Sequence, residues 1–228
     1  MLAMPAPVAA QDISGVGEEV IITGSRTPPP GRRPRPVSQL SFADLVLSGA
    51  VGPNFFFPAF SQTLNVDHTE NIGLSFGTPI GSVSGGTVPL LRFDLSHIRF
   101  SYDGHTNSNG AVGPSSGNGN LTYAGIGPGI ATRLGDRLRW ENSLTLGGAF
   151  GGISGTFEAD ISGFAALGRS AVIYDLGNAS SIGLAGSVFQ VFGDHDGGVT
   201  GGVRSPFRQD SPSVQIELFY RHYFSRRN

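Results

Sequence analysis

Residues 138–150 read LRWENSLTLGGAF, and their alternation decides the architecture. Leu138, Trp140, Leu144, Leu146 and Phe150 share one parity, while Arg139, Glu141, Ser143 and Thr145 take the other; Asn142 and Gly148 interrupt the apolar side. A strand points successive side chains to opposite faces, whereas a helix groups residues three and four apart. The pattern therefore predicts a strand over 137–150. Gly135-Asp136, immediately before it, is tight-hairpin chemistry that joins it to a second strand over 120–134.

The period of two continues in both directions. Segment 153–167 sets Phe157, Ala159, Ile161, Ala165 and Leu167 against Glu158, Asp160 and Ser162, and 169–176 carries Val172, Tyr174 and Leu176. Ile182, Leu184, Val188 and Phe192 form 181–193, and Val214, Ile216, Leu218, Tyr220 and Phe224 in 213–224 oppose Gln215, Glu217 and Arg221. Upstream, 61–77 holds Leu64, Val66, Ile72, Leu74 and Phe76. In 87–103 the parity changes: Leu91, Phe93 and Leu95 lie on one face, Ile98, Phe100 and Tyr102 on the other. An extra residue at Ser96-His97 produces such a flip, so a β-bulge within one long strand is predicted there.

These segments number eight, an even count such as bacterial single-chain barrels have. Several exceed the roughly five or six residues of an ordinary strand, and a strand tilted across a bilayer needs roughly 9–11. In this order the polar stretches 103–119 and 193–212, read as loops, follow the second and seventh strands and so fall at opposite ends. That conflict points to a miscount, most naturally within 161–176.

Composition narrows the function classes. The 228 residues include 35 glycines, 15 prolines and no cysteine, and all 15 basic residues are arginine. Disulfides, thiolate metal sites and cysteine nucleophiles are thereby excluded. A formal net charge of −2 argues against a nucleic-acid partner, which calls for a broad basic surface. No apolar run is long enough for a transmembrane helix, a criterion silent about barrels.

Charge placement leaves two architectures open. In a soluble sandwich or barrel the apolar parity faces inward and Arg92, Asp94, Arg99, Arg139, Glu141, Glu158, Asp160, Glu217 and Arg221 face water. In a barrel turned inside out these four arginines and five acids face one another, nearly balanced, and must pair to be tolerated. Context favours the inverted form. Val8-Ala9-Ala10 resembles the end of a signal-peptidase site, so 1–10 is read as the remnant of an export signal that starts upstream of Met1, against the plainer reading of a soluble protein's leader. The closing segment, with Leu218, Tyr220, His222 and Phe224 alternating, resembles the terminal strand of bacterial outer-membrane proteins, although Ser225-Arg226-Arg227-Asn228 follows the phenylalanine. Residues 60–228 thus resemble the small eight-stranded outer-membrane barrels. This implies an all-β, antiparallel transmembrane barrel in the cell outer membrane, contacting outer-membrane lipid and the barrel-assembly machinery.

The region 11–59 reads as a periplasmic linker. Pro28, Pro29, Pro30, Pro34 and Pro36, with Arg26, Arg32, Arg33 and Arg35, predict a disordered, extended stretch. Ser41 and Asp44 match a capping box, with Leu40, Leu45, Val46 and Leu47 giving an apolar side, so a short helix is expected over 38–50. Glu18–Arg26, EEVIITGSR, resembles the coupling box of TonB-dependent outer-membrane receptors, which implies pairing with a periplasmic coupling protein; no plug or very large barrel follows. The bland alternative is a linker with one apolar patch.

No catalytic, cofactor or metal residues are assigned. Asp194-His195-Asp196 lacks spaced ligands and reads as a solvated loop. His105 and Ser108, with Glu141, resemble the histidine, serine and glutamate of outer-membrane lipid A deacylases, but two residues separate His105 from Ser108 where that family has one, which changes the face the serine takes. The expected function is a non-enzymatic barrel with a structural, adhesive or minor pore role. The alternatives are a lipid A acyl hydrolase and a soluble, exported β-sandwich that binds a ligand.

Overall fold

The alternating segments pair into one antiparallel sheet in the computed structural model, which describes residues 41–51, 55–57, 62–80, 86–107, 109–177, 179–193, 195–200 and 203–224. Its strands are β1 (Ser41–Val51), β2 (Phe55–Phe57), β3 (Gln62–Pro79), β4 (Thr87–Asn107), β5 (Val112–Arg133), β6 (Leu138–Gly155), β7 (Ala159–Gly177), β8 (Ser180–Phe192), β9 (His195–Thr200), β10 (Val203–Gln209) and β11 (Ser213–Phe224). β1 pairs with β11, Ser41 opposite Phe224, and on its other side with β3, Phe42 opposite Gly77. From β3 the pairing passes through β4, β5, β6, β7 and β8 to β11, so the sheet closes into a barrel. β2 extends this ring beyond one rim by pairing with β3 and β10, and β10 forms a hairpin with β9.

The segment expected to be a short helix is a strand. Within Ser41–Val51, Phe42, Asp44 and Val46 point inward while Leu45 and Leu47 point outward, a period of two that the capping-box reading of Ser41 and Asp44 overrode. What decides the matter is tertiary: β1 supplies the backbone partners that both β3 and β11 need to close the ring. Among the described residues the first barrel strand consequently starts at Ser41, ahead of the boundary expected near residue 60. The export remnant, the proline-arginine stretch and the 18–26 box lie outside the described residues.

Two further boundaries move. Residues 159–167 and 169–176 belong to a single strand, β7, entered through a turn at 156–158, while 153–155 end β6. The stretch 103–119 is mostly strand, with β4 and β5 separated only by the turn around Asn109 and Gly110. With these corrections the connections after β1, β4, β6 and β8, including the β9–β10 hairpin in 193–212, gather at one rim. The connections after β3, β5 and β7 gather at the other, together with the start of β1 and the end of β11. The conflict over loop sides disappears.

The predicted bulge at Ser96-His97 is also absent. β4 pairs without interruption from Thr87 to Asp103 against β5, and the irregularities fall instead at Asp103/His105 and, on β3, near Val66. The parity flip is a real change in what faces where. Leu91, Phe93 and Leu95 point outward, whereas Ile98, Phe100 and Tyr102 are buried inside, on an unbroken strand. The same exchange occurs on β7, where Phe164, Val172 and Tyr174 are outward but Ile161 and Ala165 are inward. Arg99, Glu158 and Asp160, expected inside, therefore point outward on the polar side of the exchange.

The barrel interior is layered as a result. Near the short-turn rim Phe42, Val88, Leu90, Ala131 and Tyr223 form an apolar floor. A polar middle follows. Above it, Leu64, Phe100, Tyr102, Tyr123, Phe157, Phe189 and neighbouring residues make the largest apolar cluster, a cap beneath the long-loop rim. Outside, β11 (12 residues) and β8 (13 residues) set exposed apolar side chains against buried inward ones along nearly their whole length.

Glycine lets inward aromatics lie flat across the neighbouring strand. Phe219 pairs with Gly183, and a Cβ at Gly183 would sit 2.1 Å from the Phe219 ring. Alanine at Gly183 is expected to cost about 1–3 kcal/mol through overpacking. Gly186→Ala on the same strand, where nothing lies within 4 Å, serves as the control. Denaturant midpoints of the two variants check this, and equal midpoints would remove the packing role assigned to Gly183.

Candidate functional site

Alternation on strands around the ring sends polar side chains to one level of the interior. Arg221 on β11 donates from Nε and Nη2 to the two oxygens of Asp44 on β1, at 2.6 and 2.9 Å, and from Nη1 and Nη2 to Glu141 on β6, at 2.7 and 3.1 Å. Arg92 on β4 donates to Asp94 at 2.9 Å and to Glu141 at 2.7 Å. Arg169 on β7 pairs with Glu217 on β11, and its guanidinium lies 4.1 Å over the Phe219 ring centroid. Asp94 also accepts from Ser75 and from Thr145, whose hydroxyl in turn accepts from Tyr123.

Each of these charges is almost fully withdrawn from solvent, Arg92 and Arg221 to 1% exposure. Burial of that kind is tolerable because Arg92 and Arg221 meet carboxylates with two or more hydrogen bonds each, whereas Arg169 makes one, to Glu217, and stacks on Phe219. Arg139, nearer the short-turn rim, is shared among Asp175, Ser181 and Tyr223. The network ties opposite walls together, since β1, β4, β6, β7 and β11 all contribute charges. It lies between the apolar floor and the apolar cap.

The cap is held by its own polar contact. Tyr102 accepts a hydrogen bond from the Phe157 backbone N–H at 3.1 Å and reaches the Ser154 carbonyl at 3.3 Å, which pins the turn between β6 and β7.

Outside, the level at which apolar side chains leave the outer face is marked by a polar collar. Glu70, Arg99 and Asn120 stand side by side on β3, β4 and β5, and Gly152 and Asp160 continue the row on β6 and β7. His97, two residues below Arg99 on the same strand, is tied through Nδ1 to the Thr122 hydroxyl at 2.9 Å.

The residues singled out from sequence part company. Arg139 and Glu141 are inside, and Leu138, Trp140, Leu144 and Leu146 are outside, as the alternation at 138–150 requires. The hydrolase set does not assemble. Glu141 is held by Arg92 in mid-barrel, whereas His105 lies about 40 Å farther along β4 at roughly 3.3 Å per residue. His105 instead packs edge-on against Phe157, and Ser108 lies outside the described residues. Among the described residues no group of three metal-ligating side chains converges. Asp44, Ser75 and Arg169 belong to the network and were missed. A continuous period-two reading of 41–48 and 159–177 would have placed Asp44 and Arg169 inward.

No protein-family model and no characterised protein sequence matches the chain. Among solved structures, the outer membrane protein OprG of Pseudomonas aeruginosa is similar, with a TM-score of 0.59 and 9% identity, covering 82% of this chain and 97% of that one. Ail, the attachment invasion locus protein of Yersinia pestis, gives a TM-score of 0.48 at 9% identity over 82% of this chain and 99% of its own. Neisserial surface protein A gives 0.47 at 10% identity over 81% and 97%. The similarity to OprG shows the fold: an all-β, antiparallel, strand-rich architecture of the small outer-membrane barrel kind.

Proposed function

We propose that the chain is an eight-stranded transmembrane barrel of the bacterial outer membrane, non-enzymatic, which acts as a sealed scaffold and displays its long-loop rim for structural or adhesive contact. The observation that carries this reading is the exchange of faces. An apolar outer belt around a charged interior whose carboxylates each meet an arginine suits strands surrounded by hydrocarbon, while the reverse arrangement beyond the collar suits strands surrounded by water. A soluble sandwich would not leave Leu184, Ile216 and Leu218 outward.

Orientation follows from loop length, since such barrels place short turns on the periplasmic side. The turn joining β4 to β5 then projects outward, with Val112 beside it 72% exposed, and the β9–β10 hairpin stands on the same side. Display of loops on a rigid barrel is a common way to bind other surfaces. The terminal strand ending at Phe224 serves recognition by the barrel-assembly machinery, and 18–26 is read as a strand offered to a periplasmic coupling protein.

Fractionation tests the central reading. The folded protein is expected in detergent extracts of the envelope, with a gel mobility that changes on boiling. A monodisperse, lipid-free monomer in the soluble fraction would overturn it. In planar bilayers the purified barrel should give no stable conductance, because apolar layers close the interior at both ends; a steady open level would restore the pore role. Expression should leave lipid A acylation unchanged, and a mass shift abolished by His105→Ala would reinstate the hydrolase.

A further inference from the structure

The outer face is not smooth at the collar. A cleft of about 710 Å³ lies across β11, β1 and β3, apolar at one end, where Leu47, Ile72, Leu184, Ile216 and Leu218 line it, and polar at the other. Its floor is Gly49, which stands between Ile216 on β11 and Glu70 on β3. A Cβ at Gly49 would meet no heavy atom within 4 Å, and the same holds for Gly186, on the far side of Ile216. Two glycines thus flank Ile216 and leave it 69% exposed.

The polar end of this cleft comprises Glu70, His97 and Arg99, which also line a second hollow of about 470 Å³ that continues over Asn118, Asn120 and Ser154. Shared walls make the two hollows one groove, starting in the apolar belt and ending in the collar. Its lining changes character along its length as an amphiphile does.

We infer that the groove seats a single outer-leaflet glycolipid, with an acyl chain over Gly49 beside Ile216 and a sugar headgroup against Arg99, Asn118, Asn120 and Ser154. The inference rests on the membrane reading above and narrows it to one lipid class. A sugar fits the polar end better than a bare phosphate. Glu70 lies directly across from Arg99 and offsets its charge, while carboxamides and a hydroxyl provide the mixed donors and acceptors that vicinal hydroxyls need. Because the Nδ1 contact to Thr122 fixes the His97 ring, Nε2 is the nitrogen presented to a ligand.

The test uses purified full-length protein in detergent, offered an acylated glucosamine disaccharide in competition with phosphatidylethanolamine of matched acyl chains, with bound lipid counted by native mass spectrometry. One glycolipid should be retained with a preference of about tenfold or more, the size of one or two good hydrogen bonds. Gly49→Leu, which fills the apolar end, and Asn120→Ala or Arg99→Ala, which strip the polar end, should each reduce that preference toward unity. Gly168→Leu, also with nothing within 4 Å but on β7, should leave it unchanged. Equal retention of the two lipids, or an undiminished preference in Gly49→Leu and Asn120→Ala, would overturn the inference. Gel mobility before and after boiling is read on the same samples. A wild type without a detergent-stable barrel defeats the membrane reading and the groove with it, whereas a stable barrel with no preference defeats the groove alone.

Discussion

Alanine at Glu141 is expected to destabilise the barrel by about 3–5 kcal/mol, the cost of leaving buried charge uncompensated. Glu141 accepts from both Arg221 and Arg92, and these guanidiniums are 1% exposed, so neither can turn to water when the carboxylate is lost. Asp44 retains two hydrogen bonds to Arg221 and Asp94 one to Arg92, which keeps the loss from exceeding that range. Urea unfolding of protein folded into lipid vesicles measures the effect. Glu141→Gln, which keeps the acceptor oxygen but not the charge, should fall between alanine and wild type. A loss below about 1 kcal/mol for alanine, the scale of a surface ion pair, would mean that water reaches the network.

Arginine at Leu144 is expected to cost about 2–4 kcal/mol, the penalty for a charge on the outer face near mid-bilayer. Leu144 lies midway along the outward apolar run of β6 from Leu138 to Phe150 and is 49% exposed in the bare protein, a surface that hydrocarbon covers in the membrane. Asp160→Arg, in the collar itself, should change stability by no more than about 0.5 kcal/mol, as exposed surface substitutions do. The contrast between two outward positions separates a membrane belt from a merely greasy surface. Equal effects would show that the same solvent surrounds both.

Much of this architecture was legible in the alternation. At 138–150 and 213–224 every inward and outward assignment follows from parity, because a paired strand gives its side chains no third choice. Misreadings arose where a local signal competed with the pattern. Ser41 and Asp44 carry helix-cap chemistry, yet the strand they occupy is stabilised by partners more than 170 residues away in β11, a gain no local window contains. At Ser96-His97 the flip of parity was assigned to the backbone, when the backbone is regular and the surroundings change. That assumption also misplaced Arg99, while Glu158 and Asp160 were misplaced because the apolar parity of 153–167 faces inward there. The groove at Gly49 was invisible for a different reason: glycine is silent in a hydrophobic pattern, and a hollow is defined by what neighbouring strands fail to fill.

If the barrel spans the membrane as proposed, the exchange of faces on β4 and β7 also fixes how deeply it sits. Raising the bilayer surface by one outward position would submerge Arg99 and Asp160 in acyl chains, and lowering it by two would wet Leu95 and Phe164. Such hydrophobic mismatch is ordinarily relieved by tilting or by thinning the bilayer. Here tilting is a poor remedy, because polar residues end the apolar belt on several neighbouring strands and any lean drowns some of them while stranding others. The barrel should therefore impose its own waterline, drawing the surrounding leaflet to the height of the collar.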